Sequence, residues 1–197
     1  TDLGAGGVRM WQGSSHTTVH NNEIGPGGLI FHSAIGVLIG PRDGVCIAEE
    51  GPWKAKRGGY VVIECPQRIP CNPCHTSCPT GAVLPFADIN DVPQVDFSKC
   101  TGCCRCVARC PGLACFVVDL AWKEGWALMK LPYEQLPRPV KGMAVDCLDR
   151  TGKKVYRSAI EQVLEPFKDR TFVVAVPVPV EMKGEVRAVR VVAHDAK

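Results

Sequence analysis

The sequence predicts an α+β protein. Its expected parts are a cysteine-ligated centre of short, duplicated strand and helix units, a small mostly-β part after it, and an N-terminal extension of little regular structure. Three observations carry this expectation. Nine of the twelve cysteines fall between Cys65 and Cys110, in two runs of similar spacing that each end in Cys-Pro. Residues 120–197 alternate β-branched stretches with turn signals. Residues 1–57 are rich in Gly, Ser, His and Asn and show only weak periodicity. The chain therefore divides into 1–57, 58–119 and 120–197, within what 197 residues allow. With 46% hydrophobic and 22% charged residues, most of it is expected to fold as an ordinary soluble protein.

In chain order, GAGG and GPGG in the first region are loop signals. This region is expected to be poorly ordered or to pack on a partner. His16, His20 and His32 lack a regular spacing and read as surface histidines. The apolar stretch 28–40 is too short to span a bilayer and is broken by His32 and Ser33. No charged segment precedes it, so neither a membrane span nor a signal peptide is expected. Reduced thiols without an export signal point to the cytoplasm. Residues 60–64 (YVVIE) predict a strand entering the cysteine centre, and 116–118 (FVV) a strand leaving it. Beyond it, 143–148, 153–163, 172–180 and 185–192 predict strands, with turns at 149–152 and 182–184; 158–164 alternatively forms a short helix. Pro177 and Pro179 cannot both donate in a central ladder, which puts that strand at an edge of a small barrel or sandwich.

The second cysteine run reads Cys100-Thr-Gly-Cys103-Cys104-Arg-Cys106-Val-Ala-Arg-Cys110-Pro111, the C-x2-C-x2-C-x3-C-P spacing of bacterial iron–sulfur proteins. Three thiolates two residues apart let one loop wrap three corners of a cubane. Gly102 removes a side chain where backbone is expected to approach the inorganic core. Pro111 stops the turn from continuing as a helix. The first run, Cys65-Pro-Gln-Arg-Ile-Pro-Cys71-Asn-Pro-Cys74-His-Thr-Ser-Cys78-Pro79, has the same final intervals, but Arg68 stands at the next expected ligand position. Cys65 can fill that corner through a longer loop. Cys115 and Cys147 read as small buried hydrophobes; Cys104 adjoins a ligand, and Cys46 is uninformative.

The stretch 58–119, about 60 residues, resembles the dicluster bacterial-type ferredoxin family, whose fold is a duplicated ferredoxin-like domain. In that family the fourth ligand of each run crosses to the other cluster. The resemblance implies two [4Fe–4S] clusters. Cluster I would use Cys65, Cys71, Cys74 and Cys110; cluster II would use Cys100, Cys103, Cys106 and Cys78. If Cys65 points away, the first site holds three irons, or four with an outside ligand. IECPQRIPCNPCHTSCPTGAV and CPGLACFVVD further resemble ferredoxin-like small subunits of FAD-dependent amine or amino-acid dehydrogenases in anaerobes. That similarity implies a hetero-oligomer with flavoprotein subunits.

Other readings of the cysteines fit less well. Cys71-Asn-Pro-Cys74-His75 matches a haem attachment motif, but the second run has no such histidine. Structural zinc wants four ligands in two Cys-x2-Cys pairs rather than two runs of four closed by proline. No acid–base or nucleophilic constellation and no dinucleotide motif appears, and Asp88, Asp91 and Asp96 read as a solvated loop. No catalytic residue is assigned, and whether the chain counts as an enzyme rests on its complex. The net charge of +3 is spread without a basic stripe, so nucleic acid is not expected as a partner. Two clusters with eight thiolates bring the balance to about −1. A near-neutral carrier with long flanks suits a built-in subunit better than a freely diffusing, acidic ferredoxin. A free-standing ferredoxin and a metal-stabilised interaction or sensor module remain the alternatives.

Overall fold

The structure is a computed structural model, and it is described for residues 8–11, 37–40, 56–65 and 68–192. In the first region, β1 (Val8–Trp11) and β2 (Val37–Gly40) pair in parallel. The sequence reading saw no strands there; both are four-residue runs, VRMW and VLIG, each preceded by glycine. The rest of that expected extension up to residue 55, with His16, His20, His32 and Cys46, lies outside the described residues.

The remaining elements build two antiparallel sheets and a cysteine-rich layer. The larger sheet has the order β3 (Tyr60–Ile63), β4 (Cys115–Lys123), β5 (Trp126–Tyr133), β9 (Phe172–Pro179), β8 (Gln162–Leu164). The smaller has the order β10 (Ala188–Val191), β6 (Ala144–Leu148), β7 (Lys154–Ala159). The strand expected over 153–163 divides at Ile160–Glu161, so β7 and β8 serve different sheets. A 3₁₀ turn, Val180–Gly184, stands between β9 and β10. Successive residues of β9 (Val173, Val174, Ala175 and Val176) are all buried, so both faces of the larger sheet are covered. Its core runs without a break from Val61, Val83 and Val107 beside the cysteines to Val145 and Val189 in the smaller sheet and Val186 just before its strand β10. Among the described residues no helix is long and apolar enough to cross a membrane.

Three features differ from expectation. First, the composition change at 119/120 falls inside β4, which pairs with β3 on one side and β5 on the other. The strand leaving the last cysteine run is thus an interior strand shared by both regions. At the other boundary, Lys56 Nζ donates to the carbonyls of Phe97 (3.0 Å) and Ser98 (3.2 Å) in the cysteine centre. Second, β9 is interior along its first half, between β5 and β8, and an edge only along its second. The Ala175 carbonyl accepts from Glu161 N on the β8 side, so Pro177 and Pro179, in the same alternation, turn their missing donors to that side beyond the end of β8. There the Pro177 carbonyl accepts from Ser158 Oγ at 2.6 Å, tying the two sheets together. Third, Gly102 (φ 67°) meets a constraint that its place in the cysteine run does not announce. A Cβ there would fall 2.0 Å from the carbonyl oxygen of Gly58, so the tight approach is to Gly58–Gly59 backbone.

Candidate metal centre

The two cysteine runs fold alike. In the first, Pro73 opens a single helical turn, α1 (Pro73–Thr76), which carries Cys74; in the second, α2 (Arg105–Arg109) carries Cys106. Proline suits the first turn, where its missing donor costs nothing. A shift of 32 residues maps one run on the other. It takes the bridge partner Val83 to Cys115 and the strand residue Ile63 to Val95, and both resulting pairs, Ile63–Cys115 and Val83–Val95, are antiparallel partners. The same shift takes Gly81 (φ 64°) to Leu113 (φ 51°), two left-handed residues that turn the chain after each Cys-Pro.

The last sulfur of each run sits in an equivalent nest of backbone donors. Cys78 Sγ is held by the N–H groups of Val83, Thr80 and Ala82, with Thr80 Oγ1 at 3.7 Å. Cys110 Sγ is held by those of Ala114 (3.3 Å), Gly112 and Cys115. Burial works to raise the Cys78 thiol, but these bonds outweigh it and its pKa is lowered. At Cys110 the Cys115 thiol makes the largest contribution by donating to the sulfur. With the backbone donors it overcomes burial and brings the group down to about 6, which favours the thiolate that binds metal.

Sulfurs from both runs stand near one another in two places. Cys65, Cys71, Cys74 and Cys110 line one small, partly open pocket, walled also by Ile63, Pro73, Pro111 and Cys115. The Cys74 thiol is raised to about 11 by burial and by the nearby sulfurs of Cys110, Cys65 and Cys71. Cys106 is raised by burial and by Cys104, Cys103, Cys100 and Cys78. Each run's last cysteine thus faces the other run's group. Val61 N donates to Cys100 Sγ at 3.3 Å, the same kind of donor that the nests supply. Arg68, at the vacant ligand position of the first run, is exposed and stands 3.8 Å from Asp91.

Among the described residues none of the eleven cysteines is in a disulfide, and no group of three or more His, Cys, Asp or Glu is arranged to hold a single metal ion. The irons of a cubane occupy separate corners, so its ligands stand further apart than those of one ion. Four sulfurs around a cavity, with N–H groups aimed at sulfur, therefore fit such a cluster in donor chemistry.

The other described cysteines behave differently. Cys147 is fully buried in β6. Cys104 (φ 64°) is buried, its thiol donates to the Gly102 carbonyl at 3.4 Å, and burial raises it to about 12. Cys115 is buried as expected, but its bond to Cys110 is a role the sequence reading missed; the 32-residue correspondence with Val83 is the signal that places it beside that sulfur.

No protein-family model and no solved structure matches the chain. Over 52 residues, 26% of both chains, it is 46% identical to the thiosulfate reductase electron transfer subunit PhsB of Salmonella typhi. Over 75 residues, 37% of this chain and 43% of the relative, it is 35% identical to the ferredoxin-type protein NapF of Haemophilus influenzae. The chain spans less than half the length of either relative.

Proposed function

We propose that this chain is an iron–sulfur electron-transfer subunit carrying two [4Fe–4S] clusters. Cys65, Cys71, Cys74 and Cys110 would hold one, and Cys100, Cys103, Cys106 and Cys78 the other. The observation that carries the reading is the crossed grouping of sulfurs from two runs related by a 32-residue shift. Similarity to an electron transfer subunit and to a ferredoxin-type protein supports it. A bound cluster supplies one-electron redox chemistry with little change of shape. The chain's own residues do the rest. The nests at Cys78 and Cys110 stabilise charge on sulfur, Val83, Val107 and Val117 exclude water, and the exposed Cys103 marks where the second group comes nearest the surface.

The carrier serves an oxidoreductase complex in this reading. The partner implied by residues 63–83 is a flavin-bearing dehydrogenase oxidising C–N bonds of amines or amino acids. Such a partner collects electrons in pairs, and two one-electron sites in one small protein accept them singly. The test is iron and acid-labile sulfide analysis with EPR of anaerobically purified, reduced protein. About eight irons and coupled signals are expected; zinc without sulfide would refute the reading. Co-purification with a yellow flavoprotein is expected, and an active, monodisperse monomer would count against the complex.

A further inference from the structure

Glu64 immediately precedes Cys65, and its carboxylate is gripped from two distant parts of the chain. Arg187 meets it with both arms of its guanidinium, Nε to Oε2 at 3.0 Å and Nη2 to Oε1 at 2.9 Å. Arg150 adds a second fork, Nε to Oε2 at 3.1 Å and Nη2 to Oε1. The side chains of Arg187 and Glu64 are 8% and 11% exposed, and that of Arg150 is 30% exposed. Arg187 is itself fixed. Its Nη1 donates to the carbonyls of Val186 (2.7 Å) and Lys183 (3.2 Å), and its guanidinium lies 4.5 Å from the centre of the Phe116 ring. On the other side, Glu64 N donates to the Ala114 carbonyl at 2.8 Å, and Ala114 N donates to Cys110 Sγ. The clamp therefore joins the residue before Cys65 to the residue that holds Cys110.

This clamp falls where the first run departs from its repeat. With Arg68 in the regular ligand position, Cys65 stands at the end of a longer loop, and local spacing no longer fixes its place. We propose that Arg187 and Arg150, acting through Glu64, are positioning residues that hold Cys65 at the fourth corner of the first sulfur group. The bidentate forks set direction as well as distance, which a lysine would not reproduce. Two guanidiniums on one carboxylate also leave one surplus positive charge next to the residue that precedes Cys65. That charge favours the reduced, more negative state of whatever the four sulfurs hold.

The proposal rests on the two-cluster reading, and its test separates the two. The full chain is prepared anaerobically as wild type, Cys65→Ala, Arg187→Met and the double variant. Iron content, EPR of the oxidised protein and midpoint potentials are measured. Arg187→Met is expected to fall from about eight irons to about seven and to develop a three-iron signal. Cys65→Ala gives the same signature, and the double variant adds nothing to it. Wild-type iron and spectra retained in Arg187→Met would overturn the proposal and leave the two-cluster reading standing. Wild-type protein at about seven irons with a three-iron signal would overturn it too, because Cys65 would then be no ligand. Protein without iron and sulfide would overturn both readings. Should Arg187→Met lose both clusters together, the more exposed end of the clamp decides. Arg150→Gln is expected to lower the potential of one cluster and leave the other unchanged, and no shift, or equal shifts, would refute the clamp.

Discussion

At the residue scale, two glycines in the cysteine centre share a left-handed backbone but not a reason for it. Nothing lies within 4 Å of a Cβ built on Gly81, and its counterpart Leu113 carries a full side chain at φ 51°. Gly81→Ala is therefore expected to cost only the conformational penalty, about 1–2 kcal/mol, in chemical denaturation. Gly102→Ala must push Gly58 backbone aside and is expected to cost more than about 3 kcal/mol or to abolish folding. Equal costs at the two sites would show that the Gly58 contact does not matter. Thr80 offers a second residue-scale test. Its hydroxyl bonds to Cys78 Sγ, and a donor to sulfur favours the reduced state. Thr80→Val removes that donor at nearly constant volume. One midpoint potential is expected to fall by roughly 20–60 mV, the one-electron equivalent of a hydrogen bond worth about 0.5–1.5 kcal/mol. Film voltammetry showing no shift would remove Thr80 from the tuning shell. The two cysteine runs were legible because their spacing is local and covalent. The Gly58–Gly102 contact was not, because the two glycines are far apart in sequence and nothing in RGGY or CTGC announces the other.

At the element scale, one carboxylate bridges all three strands of the smaller sheet. Asp146 on the middle strand β6 meets Arg157 (2.9 Å) and Lys154 (2.8 Å) on β7 and Arg190 (3.6 Å) on β10. Burial works to raise its pKa, but the hydrogen bonds from Lys154 and Arg157 outweigh that and hold it down to about 2. An unfolded aspartate titrates near pH 3.9. The folded value is depressed, so this stabilisation is complete above that pH and is lost as pH falls through about 2. Asp146→Asn is expected to be less stable than wild type at pH 7 in urea, with the difference closing between pH 4 and 2. A gap that stays constant with pH would assign the loss to packing. The β-branched runs of β6 and β9 were readable from residue type alone. The division of 153–163 into β7 and β8 was not, because KVYRSAIEQV has no Gly or Pro to mark where the chain changes sheet. Nor was the double environment of β9: its prolines forbid donors on one side only, and which side lacks a partner depends on where β8 stops.

At the scale of the whole molecule, the cysteine centre and the β-rich region depend on each other. The cysteine motif marks out 58–119 as a unit, and a dicluster core of that length would be expected to survive alone. The structure argues otherwise. Ending the chain at Asp119 cuts β4 in mid-strand and strips β5 from Val117 and Val118, both fully buried. It also removes Lys130, whose Nζ donates to the Gly58 carbonyl at 2.8 Å, along with Arg150 and Arg187, leaving Glu64 without its two cations. A buried carboxylate deprived of its partners is a large penalty for a domain of marginal stability. A fragment of residues 58–119 is therefore expected to reconstitute with fewer than about eight irons, losing the Cys65 group first, whereas a fragment of residues 56–192 keeps both. Iron and sulfide per chain, with circular dichroism of each fragment, checks this directly. If 58–119 retained the full complement and the parent's EPR spectrum, the strands after residue 119 would be an attachment to a self-sufficient carrier, and the continuity of the core across β4 would have no energetic weight.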